Sequence, residues 1–441
     1  MRRYGALLAI VVVALSGGCR RETSSDRVVI TYWEKWTGFE ADAMRETVEA
    51  FNARQDRIEV RLLTTSQIDR KMLMATAGGI PPDAAGLWST NVIPYADKNA
   101  LLPLDGLAAS HDLSREDFIP RYWDLCYHRG HLWGLPSTPA SLALHWNKRL
   151  FREAGLDPER PPRTIEELDE FADRLTQRDA DGKITQMGFM PAEPGWWPWA
   201  WGAYFGGKLW NGKDRITATA PENVRAYQWV RSYTDKLGAK PLQIFSSGFG
   251  SFSSPENPFL SQIVAMELQG VWMHNFIDQY APEMEWGAAP FPHPADRPDL
   301  ANTTPVEEDV LVIPRGAKHP EEAFEFIAFA NSREGSELLN MGQRKFTPLL
   351  DVSPQFLREH PNPYIEVFID LAKSPNAIVP PQMPLWQEYQ AEMATAFDQV
   401  RLAEKEPEAA LREVEVRMQR KLDRDVKRYE RMGMEYGEAN G

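Results

Sequence analysis

At 441 residues the chain is long for one hydrophobic core, which predicts two lobes. Its 63 acidic residues outnumber 49 basic ones, so it lacks the cationic footprint that nucleic acid requires. With only two cysteines, Cys19 and Cys126, core burial rather than cross-linking has to hold the fold.

Arg2 and Arg3 precede an apolar run, Leu7 to Leu15, and then Ser16, Gly17 and Gly18 lead to Cys19. This is a secretory signal whose apolar run is too short to span a bilayer as a finished helix. The Leu-Ser-Gly-Gly-Cys ending resembles the bacterial lipoprotein signal, with Leu15 one position further from the cysteine than usual. The resemblance implies removal of residues 1–18 and a lipid on Cys19, which leaves Cys126 without an intramolecular partner. Two arginines depart with the signal, so 47 basic residues face 63 acidic ones, a net charge of about −16. Residues 19–26 are then a polar tether, and no later segment is long and apolar enough to span a membrane.

Val28 to Trp33 and Ile58 to Leu63 are predicted strands, followed by helices over Thr37 to Ala53 and Ile68 to Ala77. Asp83 to Leu87 is a third strand, and the alternation predicts a parallel sheet covered by helices. His131 to Leu135 and Leu142 to Trp146 form two strands around a break at Pro136-Ser137-Thr138-Pro139. Lys148 to Ala154 is helical and stops at Gly155. Thr164 with Glu167 makes a capping box for a helix with Leu168, Phe171, Ala172 and Leu175 inward. Asp179 to Lys183 is a turn with too few carboxylates for a calcium loop. Glu193 to Gly207 (EPGWWPWAWGAYFGG) holds more tryptophan than one helix face can bury.

Ile263 to Pro292 is the organising stretch. A buried strand opens it, Gly270 breaks the chain, Trp272 stands where a helix begins, and Trp286 to Ala289 is a further strand. A loop from the carboxyl end of a strand to a helix start is where open α/β folds bind ligands. Trp272 there is either a core indole or a flat platform for a ligand. Val310 to Ile313 is a strand, and His319 to Asn331 is an amphipathic helix. Pro407 to Met432 is a charged helix whose Leu411, Val414, Met418, Leu422 and Val426 stripe packs on the body.

Several ordered segments together resemble the extracellular solute-binding proteins of ABC importers, the group of the maltose-binding type. These are Pro82-Asp83, Tyr95-Ala96, Leu101 to Leu104, Trp133 to Pro136, Gly206-Gly207, and Ala265-Met266 through Trp272. The most specific runs from Trp146-Asn147-Lys148 through Leu150-Phe151, Ala154-Gly155-Leu156 and Pro161-Pro162 to Thr164–Leu168. Glu321 to Phe326 and Pro384 to Ala396 fit the last helices. Asn99-Ala100 replaces a usual glycine, and Glu307-Glu308 stands where glycines are common.

The resemblance implies an α/β, two-lobed type II periplasmic-binding-protein fold with ligand in the cleft. The hinge is expected near Pro139, Thr304 and Lys345. One lobe then comprises 27–138 with 304–344, the other 139–303 with 345–441. Residues matching the family's ligand loops are Glu34, Lys35, Trp36, Trp88, Asn91, Glu193, Trp196, Trp197, Trp272 and Trp386, and Arg344 at the last crossing is either a ligand contact or a hinge salt bridge. Rings stack on the C–H faces of sugars, while planar charged groups bracket hydroxyls. The implied partners are a carbohydrate and an ABC permease, with the chain a monomer anchored by lipid in the periplasm or at the cell surface.

A polyol phosphate would need a basic cleft around Lys35, Arg344 and Lys345. A cationic solute would use Glu34, Glu193 and Glu307-Glu308 with the rings. A ligandless envelope lipoprotein is the bland alternative. A glycoside hydrolase would need Glu34 and Glu193 to flank one cleft. No Gly-x-Ser-x-Gly, His-Glu-x-x-His or P-loop pattern occurs, and His128 and His131 have no third ligand nearby, so neither catalysis nor a metal or cofactor is expected.

Overall fold

Residues 27–437 are described by a computed structural model in which one continuous path of paired strands runs through two lobes. Its main strands are β1 (Val28–Glu34), β2 (Ile58–Thr64), β3 (Ala84–Trp88), β4 (Leu135–Asn147), β5 (Ile184–Phe189), β6 (Val264–Gly270), β7 (Trp286–Ala289) and β8 (Thr304–Val312). Their order is β2-β1-β3-β8-β4-β6-β5, with β7 also paired to β4. β1 pairs in parallel with β2 and β3, as the strand–helix alternation predicts, and β8 returns antiparallel to β3. On the other side, β4 is antiparallel to β6 and β7, and β5 is parallel to β6.

The expected break at Pro136–Pro139 does not occur. β4 is one strand of 13 buried residues. From Leu135 to Ser141 its partner is β8 alone, and β6 takes over from Leu142. Proline is tolerated on such a one-sided stretch because its missing N–H needs no ladder partner there. Between Thr138 and Pro136 the register with β8 slips by one residue, a bulge that increases local twist. β4 and β8 thus both run from one lobe into the other.

Two large cores flank this crossing. One gathers Ile30, Tyr32, Val60, Leu87, Val310 and Phe326 beneath helices Gly38–Ala53 and Pro320–Ala330. The other gathers Leu144, Trp146, Phe189, Trp201, Trp229 and Met266. A third, smaller cluster of Ala140, Val271, Phe276, Val306 and Phe368 sits beside the crossing strands.

The tryptophan-rich stretch divides its rings among different surroundings. A short 3-10 turn at Pro198–Ala200 and the helix Trp201–Tyr204 turn Trp199 onto Trp386, and Trp201 onto Trp229 and Phe291. Thr164 caps Ile165–Leu175 by accepting from the Glu167 N–H at 3.2 Å. The Glu167 carboxylate reaches the N–H of Arg163 at 2.8 Å, one residue earlier than a reciprocal box would have it.

The C-terminal helix Pro407–Arg431 buries Leu411, Val414, Met418 and Leu422 on the second core, as its stripe predicts. Val426 is partly buried beside them. Its far end reaches the first lobe, where the Tyr429 hydroxyl donates to Asp97 and Arg428 lies 3.3 Å from the same carboxylate.

Candidate ligand cleft

A cavity of about 560 Å³ opens between the lobes, within the range of small-molecule sites. One wall comes from the carboxyl ends of the three parallel strands: Lys35 and Trp36 after β1, Ser66 and Gln67 after β2, and Trp88 to Thr90 at β3. The opposite wall carries Trp196, Trp197, Phe252, Trp272 and Phe276. The floor is the crossing itself, with Thr138 and Ala140 from β4, Glu307 to Asp309 from β8, and Lys345 beside them.

Trp272 is the N-cap residue of helix Met273–Tyr280, directly after β6. Its ring folds back over Gly270, where any Cβ would collide with it, so only glycine allows this placement. The indole N–H donates to Gln269 Oε1 at 3.1 Å. Trp197 and Trp196 lie 6.1 and 6.2 Å from the ring of Trp272, tilted by 35° and 41°. Trp88, across the cavity, is 45% exposed, and Trp196, beside Trp272, is 36% exposed, so both rings present area to an incoming molecule. Both lobes therefore face the cavity with indoles.

The floor is charged but internally paired. Lys35 Nζ lies 2.9 Å from Asp309 Oδ1 and 3.2 Å from Glu34 Oε1. Lys345 Nζ lies 3.1 Å from Glu40 Oε1 and 3.8 Å from Asp309 Oδ2. Burial alone would lower the Lys35 pKa, but the Asp309 and Glu34 carboxylates outweigh it and the net shift is upward. Burial would raise Asp309, yet Lys35 and Lys345 hold it below the usual carboxylate range. Glu307 accepts from the Trp197 indole at 2.9 Å, and Glu308 accepts from Cys126 at 3.5 Å.

Of the residues expected to bind ligand, Lys35, Trp36, Trp88, Trp196, Trp197 and Trp272 line this cavity. The others stand elsewhere. Glu34 is 1% exposed and turned behind β3, where it accepts from the Tyr32 hydroxyl and from the Lys35 N–H at 2.6 Å. Asn91 is buried and accepts from the Trp88 N–H at 3.3 Å, so it shapes the loop rather than the cavity surface. Glu193 lies in a separate recess with Trp201, Leu268 and Phe397. Arg344 caps its helix with a left-handed φ of 54° and pairs outside with Asp278 at 2.6 Å. Trp386 is 2% exposed in the second core, with its edge against Trp199. Glu34 and Glu193 thus do not flank the cavity as a hydrolytic pair must.

Asp309, Glu40 and Thr138 were not anticipated. Asp309 carried a visible signal, because a third consecutive acid on a crossing strand has no solvent to face.

Burial pushes both Glu193 and Glu307 up to about 7, with Asp309 adding to the effect at Glu307 and the Trp197 hydrogen bond opposing it. Burial also holds His128, His145 and His274 down at about 4. The histidines make stability rise with pH between about 4 and 6.5, whereas the acids make it fall from about 4.5 upward. Above pH 6.5 only the acids remain, joined by Glu267 and Glu308, which burial also pushes well above the usual carboxylate range. The melting temperature should therefore fall between pH 6.5 and 8, and Glu193→Gln should flatten that slope in a melting series.

Residues 39–337 match the family model described as bacterial extracellular solute-binding protein. The arabinooligosaccharide-binding protein of Bacillus subtilis is 23% identical over 344 residues, covering 76% of this chain and 77% of its own. CpMnBP1 with mannotriose bound superposes with a TM-score of 0.79 at 27% identity, over 88% of this chain and 99% of that one. The ABC substrate-binding protein Lmo0181 of Listeria monocytogenes, in complex with cycloalternan, gives a TM-score of 0.76 at 20% identity, over 90% and 100%. The fold is the two-lobed type II arrangement of these neighbours, as the sequence segments implied. The model match covers well over half of the sequence: the chain belongs to the bacterial extracellular solute-binding protein family.

Proposed function

We propose that the protein captures a carbohydrate in the interlobe cleft and delivers it to the membrane subunits of an ABC importer. The observation that carries this reading is the set of indole faces on both walls, Trp36 and Trp88 opposite Trp196, Trp197 and Trp272. Flat apolar rings around a polar floor match a molecule with C–H faces and many hydroxyls. The arabinooligosaccharide and mannotriose of the relatives support a short oligosaccharide. The family works outside the cytoplasmic membrane with ABC permeases, and among the described residues no helix is long and apolar enough to cross a membrane.

The lobes divide within β4, at the start of β8 and after Arg344, giving 27–138 with 304–344 and 139–303 with 345–441. Cys19, outside the described residues, is the lipid attachment that holds the protein at an envelope membrane. The receptor acts as a monomer and is not an enzyme.

Ligand that binds only the folded state stabilises it by RT ln(1 + [L]/Kd), about 2.7 kcal/mol at a hundredfold excess over Kd. Melting the protein with arabino-, manno- and malto-oligosaccharides should therefore raise the midpoint for at least one series. A midpoint that stays flat across all of them contradicts the carbohydrate reading.

A further inference from the structure

We infer that Asp309 is the specificity-determining residue of the cleft: by bridging Lys35 and Lys345 it withholds both ammonium groups from anions and restricts the site to uncharged solutes. The inference rests on the cleft being the ligand site and adds the charge class it accepts.

Three acids stand consecutively on β8 where it crosses between the lobes, and each has its own partner. Glu307 takes the Trp197 indole, Glu308 takes the Cys126 thiol, and Asp309 is left to the cations. Asp309 is fixed from below by Thr138, whose hydroxyl donates to Oδ2 at 2.7 Å.

An ammonium has three N–H donors. Those of Lys35 have three acceptors within reach, Asp309 at 2.9 Å, Glu34 at 3.2 Å and the Leu87 carbonyl at 3.4 Å. An anion entering the cleft would have to displace one of these from a side chain only 7% exposed. Lys345, 4% exposed, lies between Asp309 and Glu40. Two ammonium groups thus face three carboxylates, Glu34, Glu40 and Asp309, so the cluster is net negative toward a phosphate or carboxylate ligand.

Cations are refused by the same lysines. Lys35 Nζ stands 4.6 Å from the ring centre of Trp36 and 5.2 Å from that of Trp88. Lys345 Nζ stands 5.7 Å from Trp36 and 5.9 Å from Trp272. A cationic solute approaching Trp36, Trp88 or Trp272 would therefore meet a like charge already beside the ring. What the cleft still offers is apolar ring area and polar groups for hydroxyls.

Calorimetric titration with inorganic phosphate and with mannotriose tests this on wild type, Asp309→Asn, Glu40→Gln and the double variant. Removing one and then both carboxylates takes the cluster from net −1 through neutral to net +1. Phosphate affinity should be undetectable in wild type. It should rise stepwise to at least about tenfold above that detection limit in the double variant, and fall again with salt. Phosphate binding by wild type equal to that of the double variant overturns the inference, as does no gain in any folded variant. Glu40 is partly exposed on a helix surface, so Glu40→Gln keeps the test alive if Asp309→Asn does not fold. In that event, phosphate binding no better than wild type counts against the inference. The mannotriose arm is separate: a phosphate gain without binding of mannotriose or any other oligosaccharide sinks the carbohydrate reading and leaves the role of Asp309 standing.

Discussion

Trp272→Ala should weaken oligosaccharide binding by roughly 1–3 kcal/mol, up to about a hundredfold in Kd, and cost the ligand-free fold much less than a core indole would. The ring is only partly buried, packs over Gly270 at the edge of two core clusters rather than inside either, and donates one hydrogen bond, to Gln269. Trp272→Phe should recover part of the affinity, because a smaller flat face remains. Trp386→Ala is the matched control, since that ring is 2% exposed in the second core. It should cost about 3–5 kcal/mol of folding free energy and leave affinity near wild type. Denaturant melts and ligand titrations on the three variants separate platform from core. Stability lost with affinity kept at Trp272 would identify it as core.

Gly86→Ala should destabilise by about 3–5 kcal/mol, as loss of one partner from a buried charged pair does. A Cβ at Gly86 would fall within the Glu34 carboxylate, which receives the Tyr32 hydroxyl and the Lys35 N–H in a space closed to solvent. Forced out, Glu34 leaves the Tyr32 hydroxyl unpartnered, and Lys35 loses one of its two carboxylates. The substitution should therefore also weaken ligand binding, although Gly86 touches no part of the cavity. Chemical denaturation would show the loss as a lower midpoint with an unchanged slope. An Ala variant as stable as wild type would mean that β3 moves aside at little cost.

Much of this was legible along the chain because it is local. The strand, glycine and helix start around Trp272 follow from periodicity and one breaker, and β6 with helix Met273–Tyr280 realises them. The first three strands and their helices are similarly local, and their ends differ by a residue or two.

The failures were questions of direction. Glu34 follows Ile30 and Tyr32 at a spacing of two, so it shares their buried face of β1 and turns away from the cleft. Trp386 heads a stripe with Tyr389, Met393 and Phe397, the spacing of a core-facing helix. That spacing points the ring into the core while its nearness to a ligand loop points it to the cleft, and packing decides for the core. β8 shows three consecutive acids with no solvent to face, but it is buried along nearly its whole length, so alternation does not say which partner each acid meets. Asp309 and Lys345 are brought together by tertiary packing alone, and Pro136 and Pro139 read as a break because one-sided pairing is invisible in sequence.

Titrating wild type and Trp272→Ala with arabino-, manno- and malto-oligosaccharides while following tryptophan fluorescence tests the central claim most directly. The indoles of both walls line one cavity, so a ligand entering it must change their emission. The expected result is a saturable change for at least one series in wild type, shifted to much higher concentration in Trp272→Ala. A weak response that never saturates and is identical in both proteins, for every series, would contradict carbohydrate binding in this cleft.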